Sequence, residues 1–230
     1  MQAKQAMSMY ERLVHETETS RQAFLAIPII QRALRGDVVR AEYLAFLHQA
    51  YHHVRHTVPL MMGMGYHLPE RLRWMHAVVT EYIEEEIGHE EWILDDIDAS
   101  GGDAGAARLN LPLPATEMMV AYAHDTIRRG NPVGFLGMVF VLEGTSAALA
   151  TLAADAIRRT LDLRAEALRY LTSHGTLDQE HTGFYEGVVN RLDSADDQHA
   201  VIHAANRFYG LYGAIFQAID AACGEPEVAR

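Results

Sequence analysis

Cysteine occurs once in the 230 residues, as Cys223, which excludes a disulfide scaffold, a CxxC redox motif and a thiolate zinc site. Basic residues are also scarce. Nineteen Lys and Arg stand against 31 Asp and Glu, for a net charge of −12, the wrong sign for binding nucleic acid or an anionic membrane surface. Glycine and proline number 17 and 7, too few for a fibrous or disordered chain. The opening MQAKQAMSMYERLVHETE lacks the apolar core of a secretory signal, so a cytoplasmic location is expected. No segment shows the period-two alternation of a half-buried strand.

What is there is helical. Half of the residues (49%) are apolar and 22% are charged, the profile of one soluble domain spanning 1–230. Apolar residues recur at helical spacing, as in Leu168, Leu171, Phe184 and Val188. The punctuation predicts helices over 2–26, 28–35, 39–57, 69–99, 115–129, 133–160, 163–192 and 195–222. The breakers are Pro28, Gly36-Asp37, the stretch from Gly63 to Pro69, Ser100 to Asp103, Pro112 to Pro114 and Gly130-Asn131-Pro132. The fold class is therefore all-α, a bundle of about seven to eight helices.

One of these helices poses a question. From Pro132 to Ala154 only Glu143 is charged, and that length would reach across a bilayer. A carboxylate at its midpoint argues instead for the centre of a soluble bundle, with no membrane involved. A buried carboxylate without a counter-charge stays neutral or costs several kcal/mol. Bound cations remove that cost. A buried salt bridge is the alternative, but the basic residues on hand, Arg128, Arg129, Arg158 and Arg159, stand at far helix ends.

Imidazole is plentiful, with 13 histidines. His174, Asp178 and His181 form HxxxDxxH, which places two imidazoles and a carboxylate on a stripe roughly 60° wide. An exposed polar face would look the same. Glu86-Ile-Gly-His89 is a Glu-x-x-His, the spacing by which carboxylate-bridged di-iron bundles place a glutamate and a histidine on one metal pair. Glu85 and Glu81 also approach His89. Together Glu86, His89, Glu143, His174, Asp178 and His181 offer three carboxylates and three imidazoles, too many for one ion and suited to two. Without sulfur the preference is for iron or manganese, with zinc possible. His52 and His56, together with His48, run at four-residue spacing. With Arg55, Tyr82 and Tyr185, His52 and His56 are candidates to line a substrate pocket.

The order Glu…His, then Glu143 in Leu-Glu-Gly, then HxxxDxxH, resembles the haem-oxygenase-like di-iron oxidases and oxygenases, in the superfamily that also holds thiaminase II and pyrroloquinoline-quinone synthase. Ala50-Tyr-His-His-Val-Arg-His-Thr57 and Glu86-Ile-Gly-His-Glu-Glu-Trp-Ile93 extend the likeness over nearly the full chain. The resemblance implies a haem-oxygenase-like bundle, usually a homodimer, holding two ferrous ions per chain. Dioxygen would oxidise a small organic substrate there, with Glu143 bridging and catalytic. Many members place the first glutamate seven residues before the histidine, which here is Tyr82; others use minus three, which is Glu86.

Two other readings belong to the same fold. One is a cofactor-free, pyrroloquinoline-quinone-synthase-like or thiaminase-like enzyme with Glu143 as acid and base. The other is a haem oxygenase with His15 as axial ligand, although no glycine-rich distal helix accompanies it. A metal-storage protein of ferritin type would want a second Glu-x-x-His.

Overall fold

The computed structural model describes residues 7–224, with the side chains of 174–181 left aside. It is 83% helical, with no strand among the described residues. The helices are α1 (Met9–Leu25), α2 (Pro28–Arg35), α3 (Arg40–Val54), α4 (Thr57–His67), α5 (Met75–Glu86), α6 (His89–Ala99), α7 (Ala104–Leu109), α8 (Pro114–Arg128), α9 (Leu136–Leu161), α10 (Arg169–Val189) and α11 (Ala195–Gly224). Short 3₁₀ turns precede α5, α9 and α10.

Local chemistry accounts for most boundaries. Ser8 and Glu11 form a reciprocal capping box at the start of α1, with Ser8 N donating to Glu11 Oε2 at 2.7 Å. Pro28 and Pro114 occupy first-turn positions, where a missing N–H costs nothing. Gly36 closes α2 at φ +77°, a conformation that a Cβ disfavours.

Three helices exceed the number expected from sequence. The span 69–99 is two helices, because Gly88 turns the chain at φ +90° between Glu86 and His89. The stretch from Gly63 to Pro69 is mostly helix α4. Its glycines meet Ile127 and Val79 at ordinary van der Waals distance, and Leu60, Met61 and Met64 bury its inner face. α7 is a single capped turn held by Asp103, whose carboxylate accepts from Ala106 N at 2.8 Å.

α9 is the strut. It packs against α2, α10 and α11. Together with the preceding turn it is the one described helix long and apolar enough to cross a membrane by length and composition, yet 56% of its most apolar window is buried inside the fold. Its first six residues, Leu136 to Val141, are all buried, and from Leu142 to Leu149 it is half open. At Gly137 a Cβ would sit 2.5 Å from Ala205 N and 2.7 Å from Val201 O of α11, so glycine permits this crossing.

The apolar residues form two clusters. One gathers the start of α9 with α1, α4, α5, α8 and α11. The other gathers the end of α9 with α3, α6 and the start of α10. Two buried acids tie elements together. Asp197 of α11 is fully buried and receives the guanidinium of Arg71 and, at 2.7 Å, the amide of Asn131. Asp96 of α6, also fully buried, accepts from the backbone N–H groups of Arg169 (3.0 Å) and Tyr170 (2.9 Å), fixing the first turn of α10.

Gly137→Ala should destabilise the protein by about 1–3 kcal/mol, since the colliding atoms are backbone and cannot rotate away. Gly144→Ala, where nothing lies within 4 Å, should gain about 0.5–1 kcal/mol from helix propensity. Thermal unfolding of both variants checks the contrast; equal melting temperatures would contradict this α9–α11 packing.

Candidate metal centre and substrate cavity

A cavity of about 170 Å³ lies at the seam between the two apolar clusters, with walls from α2, α3, α9, α10 and α11. Glu86, from the last turn of α5, and Glu143, from the middle of α9, both open onto it. The break at Gly88 separates Glu86 from His89 in the helical register but not in space: His89 Nδ1 lies 3.3 Å from Glu86 Oε2. His89 is 4% exposed and its ring stacks on Trp92 at a centroid distance of 4.0 Å. The guanidinium of Arg169 covers Trp92 at 4.6 Å. Trp92 thus contacts both the His89 imidazole, tilted by 31°, and the Arg169 guanidinium, which limits the rotation of the His89 ring.

The glutamates of α5 weighed as ligands are not equivalent. Glu81 and Glu85 are exposed, whereas Glu86 is half-buried and on the cavity. Ile87, which follows Glu86, is 64% exposed. The arginines weighed as counter-charges for Glu143, namely Arg128, Arg129, Arg158 and Arg159, are all exposed.

Tyr82 and Tyr185 are buried within the field of Glu143. Burial pushes both phenols well above their ordinary range, and the Glu143 charge adds to the effect. Both stay protonated. Tyr185 donates to Leu136 O at 2.8 Å, and Tyr82 packs edge-on against Phe184 at 5.4 Å.

His174, Asp178 and His181 fall among the side chains outside the description; the backbone of α10 is helical through them and runs beside α9. Among the described residues no group of three or more His, Cys, Asp or Glu is gathered closely enough to hold a metal ion. Glu86 and Glu143 line the cavity and His89 lies against Glu86, but these three alone are not gathered as a metal site. The oxygen and nitrogen donors present fit iron or manganese.

The expected pocket histidines lie elsewhere. The face of α3 that reaches the cavity carries His53, not His52, Arg55 or His56. His52 is 5% exposed and His56 meets His124 of α8 edge-on at 6.1 Å. Arg55 is exposed, with its guanidinium 5.6 Å from the Tyr51 ring. His53 shares a face with Phe46 and Thr57, spacing that was legible but overshadowed by the regular row beside it. His15 is exposed on α1, away from the cavity.

A family profile described as iron-containing redox enzyme matches residues 44–213. The chain belongs to that iron-containing redox enzyme family. A domain of unknown function with a heme oxygenase-like fold from Shewanella denitrificans superposes with a TM-score of 0.83 at 24% identity, covering 93% of this chain and 92% of that one. A TenA homologue from Pseudomonas syringae gives 0.73 at 11% identity, with 93% of each chain covered. Heme oxygenase-1 from the cyanobacterium Synechocystis, solved with heme, gives 0.73 at 12% identity, covering 95% of this chain and 96% of that one. These likenesses establish the heme oxygenase-like fold. Among curated proteins none matches the sequence.

The histidines between α3 and α8 have a pH signature. Burial is the first cause lowering His48, His52, His56 and His124, and nearby Arg55 and Arg128 add to it for His52, His56 and His124. Below about pH 6.5 the unfolded chain binds protons that the folded state refuses. Stability contributed by these groups is present above that pH and is lost as the pH falls through it. Asp96, whose carboxyl burial pushes up to about 7 against the pull of its two N–H donors, has the opposite slope. The readout is therefore the difference between variant and wild type. Urea unfolding at pH 7.5 and 5.5 should show a smaller acid loss for a His52→Gln, His124→Gln double variant; identical losses would contradict the assignment.

Proposed function

We propose that this protein is a non-haem di-iron oxidase or oxygenase that uses dioxygen to oxidise a small organic substrate. The supporting observation is the convergence of Glu86 and Glu143, from different helices, on one apolar cavity, with His89 against Glu86, in a chain of an iron-containing redox family. Glu86, His89 and Glu143 would hold two iron ions together with His174, Asp178 and His181 of α10. When bound, the iron supplies the one-electron chemistry that dioxygen requires.

The protein groups have separable tasks. The Glu86 carboxylate fixes the orientation of the His89 imidazole, and the Trp92 face limits its rotation. Tyr82 and Tyr185 keep their protons and present no competing anion beside Glu143. The apolar walls keep water away from the reacting end of the substrate.

A metal-free reading, with Glu143 as acid and base in the same cavity, has the fold of the TenA homologue in its favour. The cysteine that a thiaminase-type pocket would use is missing from the described cavity wall, since Cys223 lies outside it.

Protein purified without oxygen and titrated with ferrous iron should bind about two ions per chain and then consume dioxygen. Glu143→Ala should lose most of the iron while keeping its helical circular dichroism. A wild-type protein that folds, binds no iron and takes up no dioxygen would support the metal-free reading instead.

A further inference from the structure

The lining residues of the cavity run along α9, and its two ends differ in character. Along α9 the lining residues Glu143, Ser146, Ala150, Ala153 and Ile157 repeat at three or four positions, a single stripe on one helix face. The ten positions from Glu143 to Ala153 span about 15 Å at the α-helical rise. α3 runs antiparallel along the opposite wall, since Arg40 at its start donates to Leu161 O at the end of α9 (3.1 Å). Gly36, closing α2, abuts Ala156 and Thr160, so α2 covers the end of the channel remote from Glu143.

At that remote end the polar groups are already satisfied. Glu42 receives Arg32 at 2.5 Å and Val39 N at 2.9 Å, and the Tyr43 hydroxyl donates to Ala167 O at 2.7 Å. The rest of that end is Ala33, Val38, Ala153 and Ile157. At the near end stand Glu86, Glu143, His53 and Ser146. Ser146 Oγ is buried and has no hydrogen-bond partner among the described residues. No Lys or Arg lines the cavity among the described residues, so a second anionic group on a ligand would find no counter-charge along the channel.

We infer that the substrate is a head-and-tail molecule. Its narrow apolar tail occupies the channel between α2, α3 and α9, and its single polar head lies at Glu143 and Ser146. This deepens the proposed function and rests on it for the claim that the head is the end that reacts. The channel excludes substrates with an anionic group at the end of the tail.

Calorimetric titration of the metal-free, full-length protein with primary n-alkanols of increasing length tests the inference. Each methylene should tighten binding about threefold to fourfold, as expected for full burial, until the channel is filled and the gain stops. Ala153→Phe should bring the plateau to a shorter chain and leave short alkanols unaffected. Ala33→Met, a milder block at the same end, serves the same purpose if Ala153→Phe melts early. An α,ω-diol should lose most of the tail's gain, and an α,ω-dicarboxylate should not bind. Affinity independent of chain length, or a plateau unmoved by both variants, overturns the inference. Iron binding on the same preparation separates the two claims: iron bound without length dependence sinks the channel alone, and length dependence without iron sinks the di-iron reading alone.

Discussion

Glu143 is a carboxylate in the middle of the helix on which the bundle is built. α9 must be apolar because α2, α10 and α11 pack on it, and α11 depends on the close approach at Gly137. A charged group there must be compensated or the core weakens. The architecture supplies the setting for compensation. The helix opens at Glu143, a cavity forms at the seam of the two apolar clusters, and Glu86 with His89 arrives from the far side of the Gly88 turn.

The same constraint explains how precision is distributed. The wall opposite α10 is fixed by packing: His89 is held against Trp92, which Arg169 also contacts. The first turn of α10 is clamped to α6 through the two backbone bonds to Asp96. Positions 174, 178 and 181 follow that clamp along the same helix.

Much of this was legible in the residues. Proline and glycine at helix ends announced α2 and α8, and the apolar run around Glu143 marked the central helix because composition alone makes a lone acid conspicuous. The Gly88 turn was hidden inside a periodic charge run, where a glycine is compatible with a continuous helix. The consequence was small for the site, since a turn after Glu86 still returns His89 to the same carboxylate. Helix α4 was obscured because Gly63 and Gly65 read as breakers, whereas the buried Leu60, Met61 and Met64 hold the segment helical against the core. His53 was overlooked for a different reason. Sequence spacing places His48, His52 and His56 in register but does not say which flank of α3 meets the cavity, and only the packing of α3 against α6, α8 and α11 decides it.

The most direct measurement is an anomalous-diffraction map, at the iron absorption edge, of crystals grown with ferrous iron in the absence of oxygen. The account requires two iron peaks inside the cavity, one or both within bonding distance of the Glu143 carboxylate, with Glu86, His89 and the α10 side chains completing their shells. Iron found only at the histidines between α3 and α8, or a Glu143 carboxylate turned away from the metals, would contradict it.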